Sequence, residues 1–179
     1  EYDFFLHDKY LFYYYNILVL IYAKTDKEKA LDYLNKASES EVIKKLPSYN
    51  SFIYLNRSLI YYYKDNYKES QKNIARLIMQ QDFLLLDKSF QLKILVTELM
   101  IRILVSNKNL NDKITNINKD YKSLLLEKHH IREKKMIDLI FKKISGGDVV
   151  DNKEDLLSSM SDSDAEDIAR KIRHSILNY

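Results

Sequence analysis

Two stretches of this chain repeat each other at a spacing of 40 residues: YLFYYYNILVLIYAKTDKEKA, residues 10–30, and NSFIYLNRSLIYYYKDNYKES, residues 50–70. Five pairs of residues are identical at equivalent positions: Phe12/Phe52, Tyr14/Tyr54, Asn16/Asn56, Tyr22/Tyr62 and Lys24/Lys64. In each copy an apolar run leads into a polar turn and then into a second, amphipathic segment. A repeat of this length with helical periodicity indicates stacked helix pairs, because one pair cannot bury its apolar face alone.

The composition favours an all-α fold. Among 179 residues, of which 46% are hydrophobic, there are only two glycines (Gly146 and Gly147) and one proline (Pro47). A β-sheet protein of this length needs many turns, and those turns use glycine, asparagine or proline. We therefore predict about seven helices joined by short polar loops, with a short helical tail at the C-terminus.

The repeat predicts where the first four helices lie. The first should span about residues 8–23 and is apolar on nearly all sides, which predicts that neighbours cover more than one of its faces. The third should span about residues 51–64. Thr25 is predicted to cap the second helix, with Glu28 completing a capping box, and Asn66 is predicted to cap the fourth.

The second and fourth helices carry equivalent apolar stripes. Ser70 occupies the position equivalent to Ala30, and a small side chain there would let paired helices approach closely. The stripes are Ala30, Tyr33, Leu34 and Ala37 in the second helix, and Tyr67, Ser70, Ile74, Leu77 and Ile78 in the fourth.

A third pair is weaker, and the chain changes character after it. Helices are predicted over about residues 88–105, from Leu110 onward and over about residues 128–144, where the glycines end the last one. Residues 148–167 then hold eight carboxylates and one lysine. We assign 1–145 to the repeat domain and 146–179 to an acidic linker and helical tail, which either packs on the repeats as a cap or stays detached.

The helix-pair pattern resembles the tetratricopeptide repeat over about residues 10–126. The matching positions are small Ala30 and Ser70, apolar Leu34 and Ile74, small Ala37, and aromatic Tyr14 and Tyr54. Leu18 stands where the family has a small residue, Ser58 occupies that position in the second copy, and the terminal proline is absent. The spacing of 40 residues between copies also exceeds the family's usual value of about 34.

The resemblance implies a right-handed superhelix whose first helices line a concave, peptide-binding groove. Carried over by position, the groove would be lined by Phe12, Tyr15, Val19 and Tyr22 from the first pair, Phe52, Leu55, Tyr62 and Tyr63 from the second, and Glu98 and Arg102 from the third. The family members that clamp a terminal carboxylate use asparagines and lysines. Asn16 and Asn56 match, but the lysines do not, so a carboxylate clamp is disfavoured.

Tyrosine is concentrated in the two clear copies, since 13 of the 15 tyrosines lie within the first 67 residues. Residues 13–15 and 61–63 are each three consecutive tyrosines, which in a helix span about 200° of its surface. Some of these rings must therefore face solvent or a ligand. Packing between helices and a groove lined with amphipathic rings are both consistent with this pattern.

Several other kinds of function lack support in the sequence. The net charge of +3 gives no overall bias toward nucleic acid, and the absence of cysteine excludes disulfides and thiolate chemistry. The longest uncharged stretch, residues 10–23, is shorter than the ~20 residues of a membrane-spanning helix. No cofactor is expected, and no arrangement of residues argues for catalysis.

Candidate metal and phosphate sites are also weak. His129 and His130 point about 100° apart on a helix and lack a partner at the spacing needed for a shared ion, so we predict a solvated pair and no metal. The acids after Gly147 do not form a calcium-loop pattern. The basic segment 122–143 is most simply a solvated helix face, and RNA binding through it is a weaker alternative.

We therefore predict a non-catalytic scaffold that binds a peptide or a protein in a tyrosine-rich groove. The candidate site residues are Phe12, Tyr15, Tyr22, Phe52, Tyr62, Tyr63 and Arg102. The alternative is a peptide-sensing or ligand-sensing domain of a larger transcriptional or signalling regulator, whose effector part would lie upstream of Glu1. Oligomeric state is left open.

Overall fold

A computed structural model describes residues 2–47, 49–105 and 110–145, with side chains from Lys9 onward. All regular structure in these ranges is helical, which confirms the predicted all-α class. The α-helices are α1 (Tyr2–Thr25), α2 (Lys27–Glu39), α3 (Glu41–Lys44), α4 (Tyr49–Tyr63), α5 (Tyr67–Ile78), α6 (Lys88–Leu104), α7 (Leu110–Asp120), α8 (Lys122–Leu125) and α9 (Ile131–Ile144). Two 3-10 helices, Gln81–Leu85 and Lys128–His130, complete the set. The predicted tail, 146–179, lies outside the described residues.

The described residues divide into two compact units, one ending at Phe83 and the other beginning at Leu84. The first unit contains α1 to α5. Its two long helix pairs, α1 with α2 and α4 with α5, make the most extensive contacts, and α4 also packs against α1 and α2. The repeated segments therefore form two helical hairpins that pack on each other.

Equivalent residues of the two copies meet in the core of the first unit. Phe12 on α1 and Phe52 on α4 are fully buried, and their rings lie edge to face with centroids 4.7 Å apart. This arrangement suits two aromatic rings because the positive edge of one faces the negative face of the other. The contact between α1 and α4 is thus built on a repeated phenylalanine.

The turn between α1 and α2 differs from the prediction by one residue. Asp26, and not Thr25, caps α2, since its Oδ1 accepts a hydrogen bond from the Lys29 N–H at 3.0 Å. Thr25 is the last residue of α1, and its hydroxyl donates to the Ile21 carbonyl at 3.1 Å. Both residue types can cap a helix, and a carboxylate is further favoured by the positive end of the helix dipole.

The turn between α4 and α5 is as predicted. The Asn66 side chain caps α5 and accepts a hydrogen bond from the Glu69 N–H at 3.2 Å. Asp65, just before it, has a φ of 56°, a region that Asn and Asp tolerate better than most residues do. Three residues of each predicted stripe are buried: Ala30, Leu34 and Ala37 on α2, and Ser70, Ile74 and Leu77 on α5.

The second unit packs α6, α7 and α9 around one apolar core. Its buried residues include four that recur at helical spacing on α7 and just after it: Leu110, Ile114, Ile117 and Tyr121. The last predicted helix is divided, because residues 128–130 form a 3-10 turn before α9 begins. The short helix α8 was not predicted.

Candidate functional site

Five of the predicted groove residues lie in the core of the first unit: Phe12, Val19, Phe52, Leu55 and Tyr62. Phe12 and Phe52 have no exposed surface, and Tyr62 is only 7% exposed. The Tyr62 ring lies between Tyr63 and Tyr67, with centroid distances of 5.9 and 5.6 Å. These side chains pack between helices because α1 and α4 bury the face that the family resemblance assigned to a groove.

The other predicted tyrosines are partly exposed. Tyr22 stacks on Tyr33 of α2, with ring centroids 5.5 Å apart, and the Lys29 ammonium lies 4.2 Å from the Tyr22 centroid. Tyr15 contacts Tyr14 edge to face at 5.3 Å. Tyr22 is therefore held in the contact between α1 and α2.

Arg102 belongs to the second unit, where it pairs with a buried carboxylate. Its Nε donates to Glu98 Oε1 at 2.8 Å, and the Lys113 ammonium contacts the same oxygen. Glu98 is 1% exposed, whereas the two cations are partly exposed. The first role of Arg102 is thus to neutralise Glu98.

The accessible face of α4 does not carry the predicted groove residues. Its residues are only partly buried and recur at helical spacing, so that they form one stripe along the helix. We call this face the α4 stripe, and it consists of Asn50, Tyr54, Arg57, Tyr61 and Lys64.

A polar cleft of about 170 Å³ lies at the middle of the α4 stripe. It is bordered by α2 on one side and by α5 on the other. Its lining residues are Leu31 and Asn35 from α2, Arg57 and Tyr61 from α4, and Glu69, Asn73 and Arg76 from α5.

Arg57 is held in place by α2. One terminal nitrogen of its guanidinium donates to Asn35 Oδ1 at 2.8 Å and lies 3.4 Å from Ser38 Oγ. The Tyr49 hydroxyl donates to the Ser38 carbonyl at 3.2 Å, which ties the start of α4 to the same segment. These contacts fix the arginine at the edge of the cleft and leave its remaining N–H groups available.

The cleft offers polar groups of α4 and α5 that no described residue bonds. Asn73 is buried and donates from its amide to the Glu69 carbonyl at 2.8 Å. Within the described ranges, no protein group bonds the Arg76 guanidinium, the Tyr61 hydroxyl or the Asn73 Oδ1. The Glu69 carboxylate lies 3.3 Å from the Lys72 ammonium, which offsets its charge. The cleft is therefore a positively charged site with free donors and one free amide acceptor.

A wider cleft of about 520 Å³ lies where the α4 stripe ends at Lys64. It is formed by the two interhelix turns, residues 25–28 and 63–65, and Tyr63 is one of its lining residues. The Lys64 ammonium contacts the Glu28 carboxylate across it. The accessible surface thus continues from the polar cleft along α4 to the turns.

The polar cleft was not predicted, although the sequence holds a signal for it. Residues 49–64 include only two charged side chains, Arg57 and Lys64, and both belong to the α4 stripe. A charged residue on an otherwise apolar helix marks the side that meets water. The groove positions that were carried over from the tetratricopeptide resemblance lie on other faces of α4.

The prediction of a solvated histidine pair is wrong for one member. His129 is exposed, but His130 is buried, with its Nε2 3.1 Å from Ser89 Oγ and its Nδ1 3.5 Å from the Glu133 carboxylate. The part of the chain that the structure describes contains no group of three or more His, Cys, Asp or Glu residues that could hold a metal ion.

Comparisons with protein-family models, with curated proteins and with solved structures found no match. Among the described helices, none combines the length and the apolar character needed to cross a lipid bilayer.

Proposed function

We propose that the first unit is a non-catalytic module that binds a peptide or a protein segment along the α4 stripe. The polar cleft would hold an acidic side chain of that segment. The observation that carries the proposal is the pair of arginines that line the cleft, Arg57 from α4 and Arg76 from α5, with no described residue bonding the Arg76 guanidinium.

The chemistry of the cleft favours a carboxylate. Arginine offers several N–H donors in a planar array, and hydrogen bonds between charged groups are about twice as strong as neutral ones. The Tyr61 hydroxyl can add a further donor, while Asn73 Oδ1 can accept from a backbone N–H of the same segment. A volume of about 170 Å³ is small for a cofactor site, which usually measures ~300–1,000 Å³, but is adequate for one side chain.

The rest of the α4 stripe suits an extended chain. Tyr54 and Tyr61 are partly exposed rings that lie three positions before and four positions after Arg57, about one helical turn away on either side. Tyrosine provides a large contact area at a low entropic cost and a hydroxyl for hydrogen bonding. The two packed hairpins agree with the tetratricopeptide resemblance, and we propose the same superhelical stacking for this unit.

A peptide array tests this proposal. We expect acidic peptides to bind, with basic peptides of matched length and hydrophobicity failing to do so. The affinity of the best acidic peptide should fall about tenfold or more in Arg76→Gln, because a charge-assisted hydrogen bond contributes about 1.5–3 kcal/mol. The matched control is Lys68→Gln, which removes an exposed cation of α5 that does not line the cleft.

Thermal melting of both variants separates binding from folding. Neither exposed cation supports the core, so both variants should melt as the parent protein does. Equal affinities for Arg76→Gln and Lys68→Gln would show that the cleft is not the anchoring point. Absence of any preference for acidic peptides would remove the proposal.

A further inference from the structure

The outward face of α1 carries an apolar stripe that the chain leaves exposed. We call it the α1 stripe: Tyr10, Tyr14, Ile17 and Ile21, whose exposed fractions are 69%, 55%, 48% and 55%. The opposite face of the same helix holds Phe12 and Val19, which are fully buried in the first unit. A helix that is apolar all round is typically buried all round, so the exposure of this face indicates that no described helix covers it.

The repeat shows that exposure of this face is unusual. The residues 40 positions later form the α4 stripe, where Asn50 replaces Tyr10 and Arg57 replaces Ile17. In α4 the equivalent face is partly covered by α2, through the contact from Arg57 to Asn35. The same face is thus accessible on α1 and on α4. It is apolar at these two positions on α1, where it is less covered, and polar on α4.

The spacing of the α1 stripe matches a helix-helix seam. Its residues follow each other at intervals of four, three and four, which is the spacing of the a and d positions of a coiled coil. The flanking positions are also apolar and partly buried: Leu11, Tyr13, Leu18 and Leu20. A second helix laid along this face would bury a continuous apolar band about three turns long.

We propose that the neighbour is a second copy of this chain, with the two α1 helices packed antiparallel about a two-fold axis. In a register centred between residues 15 and 16, Tyr10 of each copy meets Ile21 of the other, and Tyr14 meets Ile17. Each large ring then lies against a smaller branched side chain, and the helix dipoles oppose. A parallel pair would instead place tyrosine against tyrosine at one end and isoleucine against isoleucine at the other.

The buried area indicates a weak, reversible dimer. Large aromatic side chains bury ~150–250 Å² each and isoleucine somewhat less, so two tyrosines and two isoleucines that are each about half exposed supply roughly 400–500 Å² per copy. Two copies therefore bury roughly 1,000 Å² in total, which is near the lower limit for a specific interface. Association at micromolar concentrations is expected.

Sedimentation velocity over a concentration series tests the dimer. The parent protein should shift from monomer to dimer with rising concentration, whereas Ile17→Glu should stay monomeric with unchanged helicity. The matched control is Met79→Glu, which introduces the same charge at an apolar residue of the first unit that is 83% exposed and outside the α1 stripe. This control should dimerise as the parent does. A parent protein that remains monomeric at every concentration, or an Ile17→Glu variant that still dimerises, would overturn the proposal.

The helix direction is tested by crosslinking, since the chain has no cysteine of its own. Mixing Tyr10→Cys with Ile21→Cys should give a disulfide between the two variants under mild oxidation. Tyr10→Cys alone should remain uncrosslinked. Rapid self-crosslinking of Tyr10→Cys would establish a parallel pair and overturn the antiparallel register.

Discussion

Ser58 on α4 and Ser70 on α5 exchange hydrogen bonds between their side chains and backbones in both directions. The Ser58 hydroxyl donates to the Ser70 carbonyl at 2.9 Å, and the Ser70 hydroxyl donates to the Ser58 carbonyl at 2.7 Å. Both residues are fully buried. Because a hydroxyl reaches the opposite backbone directly, the two helices must lie close together, and neither side chain is left without a partner.

Two substitutions at Ser70 should distinguish how much the hydrogen bond and the close approach of the helices each contribute to stability. Ser70→Ala removes one donor and should lower the free energy of unfolding by about 1 kcal/mol. Ser70→Leu must push the helices apart and should lower it by about 2–3 kcal/mol. Urea unfolding followed by circular dichroism measures both. If Ser70→Leu were as stable as Ser70→Ala, the helices would not be in close contact at this point.

Alkaline pH should destabilise the first unit through Tyr62. Burial raises the pKa of the Tyr62 phenol to about 12, with the neighbouring Tyr67, Tyr63 and Asp65 adding to the effect. Up to about pH 10 the phenol is neutral in both the folded and the unfolded chain. Between pH 10 and 12 the unfolded chain loses this proton while the folded chain retains it, so stability falls as pH rises.

Tyr62→Phe is the control for that titration. It keeps the buried ring and removes the ionisable group, so its unfolding free energy should decline less than that of the parent between pH 10 and 12. Lysines titrate in the same range in both proteins and cancel in the comparison. Parallel stability curves for the two proteins would show that Tyr62 ionises as freely in the folded state as in the unfolded chain.

Removing the two cations that contact the Glu98 carboxylate should destabilise the protein more than removing the charge of Glu98 itself. Replacing both Arg102 and Lys113 with Gln leaves a buried charge without a counterion and should cost about 3–5 kcal/mol of stability. Glu98→Gln should cost less, because the two cations are 23% and 27% exposed and can turn toward water. Denaturant unfolding of the second unit measures the difference. Equal losses in the two variants would indicate that Glu98 is already well solvated.

Local features of the sequence predicted the hairpins well. The cap at Asn66 and the stripes that contain Ala30 and Ser70 depend on residues within one or two helical turns, and the two stripes occupy equivalent positions of the repeat. Even the error at Thr25 was a choice between two adjacent residues that both can cap.

The accessible face of α4 could not be predicted from local features of the sequence. Three helices, α1, α2 and α5, contact α4, so that apolar residues surround most of it and their periodicity selects no single outward face. Tyr61 and Tyr62 are adjacent in sequence, yet one borders the cleft and the other is buried, since neighbouring helical residues point about 100° apart. His130 is buried by Ser89, which lies 41 residues away along the chain. Contacts over such distances leave no local pattern.

Gln91 provides a last test, because its fully buried amide serves four partners at once. Its Nε2 donates to the carbonyls of Leu84 and Leu86 at 3.2 and 2.7 Å, and its Oε1 accepts from the Tyr121 hydroxyl at 2.7 Å and from the Lys88 ammonium at 3.1 Å. Gln91→Glu points an oxygen at two carbonyl oxygens, which the Lys88 ammonium offsets only in part, and should lower the free energy of unfolding by about 2–3 kcal/mol, whereas Tyr121→Phe loses one hydrogen bond and should cost about 1 kcal/mol. Thermal unfolding distinguishes the two. A Gln91→Glu variant that melts with Tyr121→Phe would mean that the segment before α6 is not held by this amide.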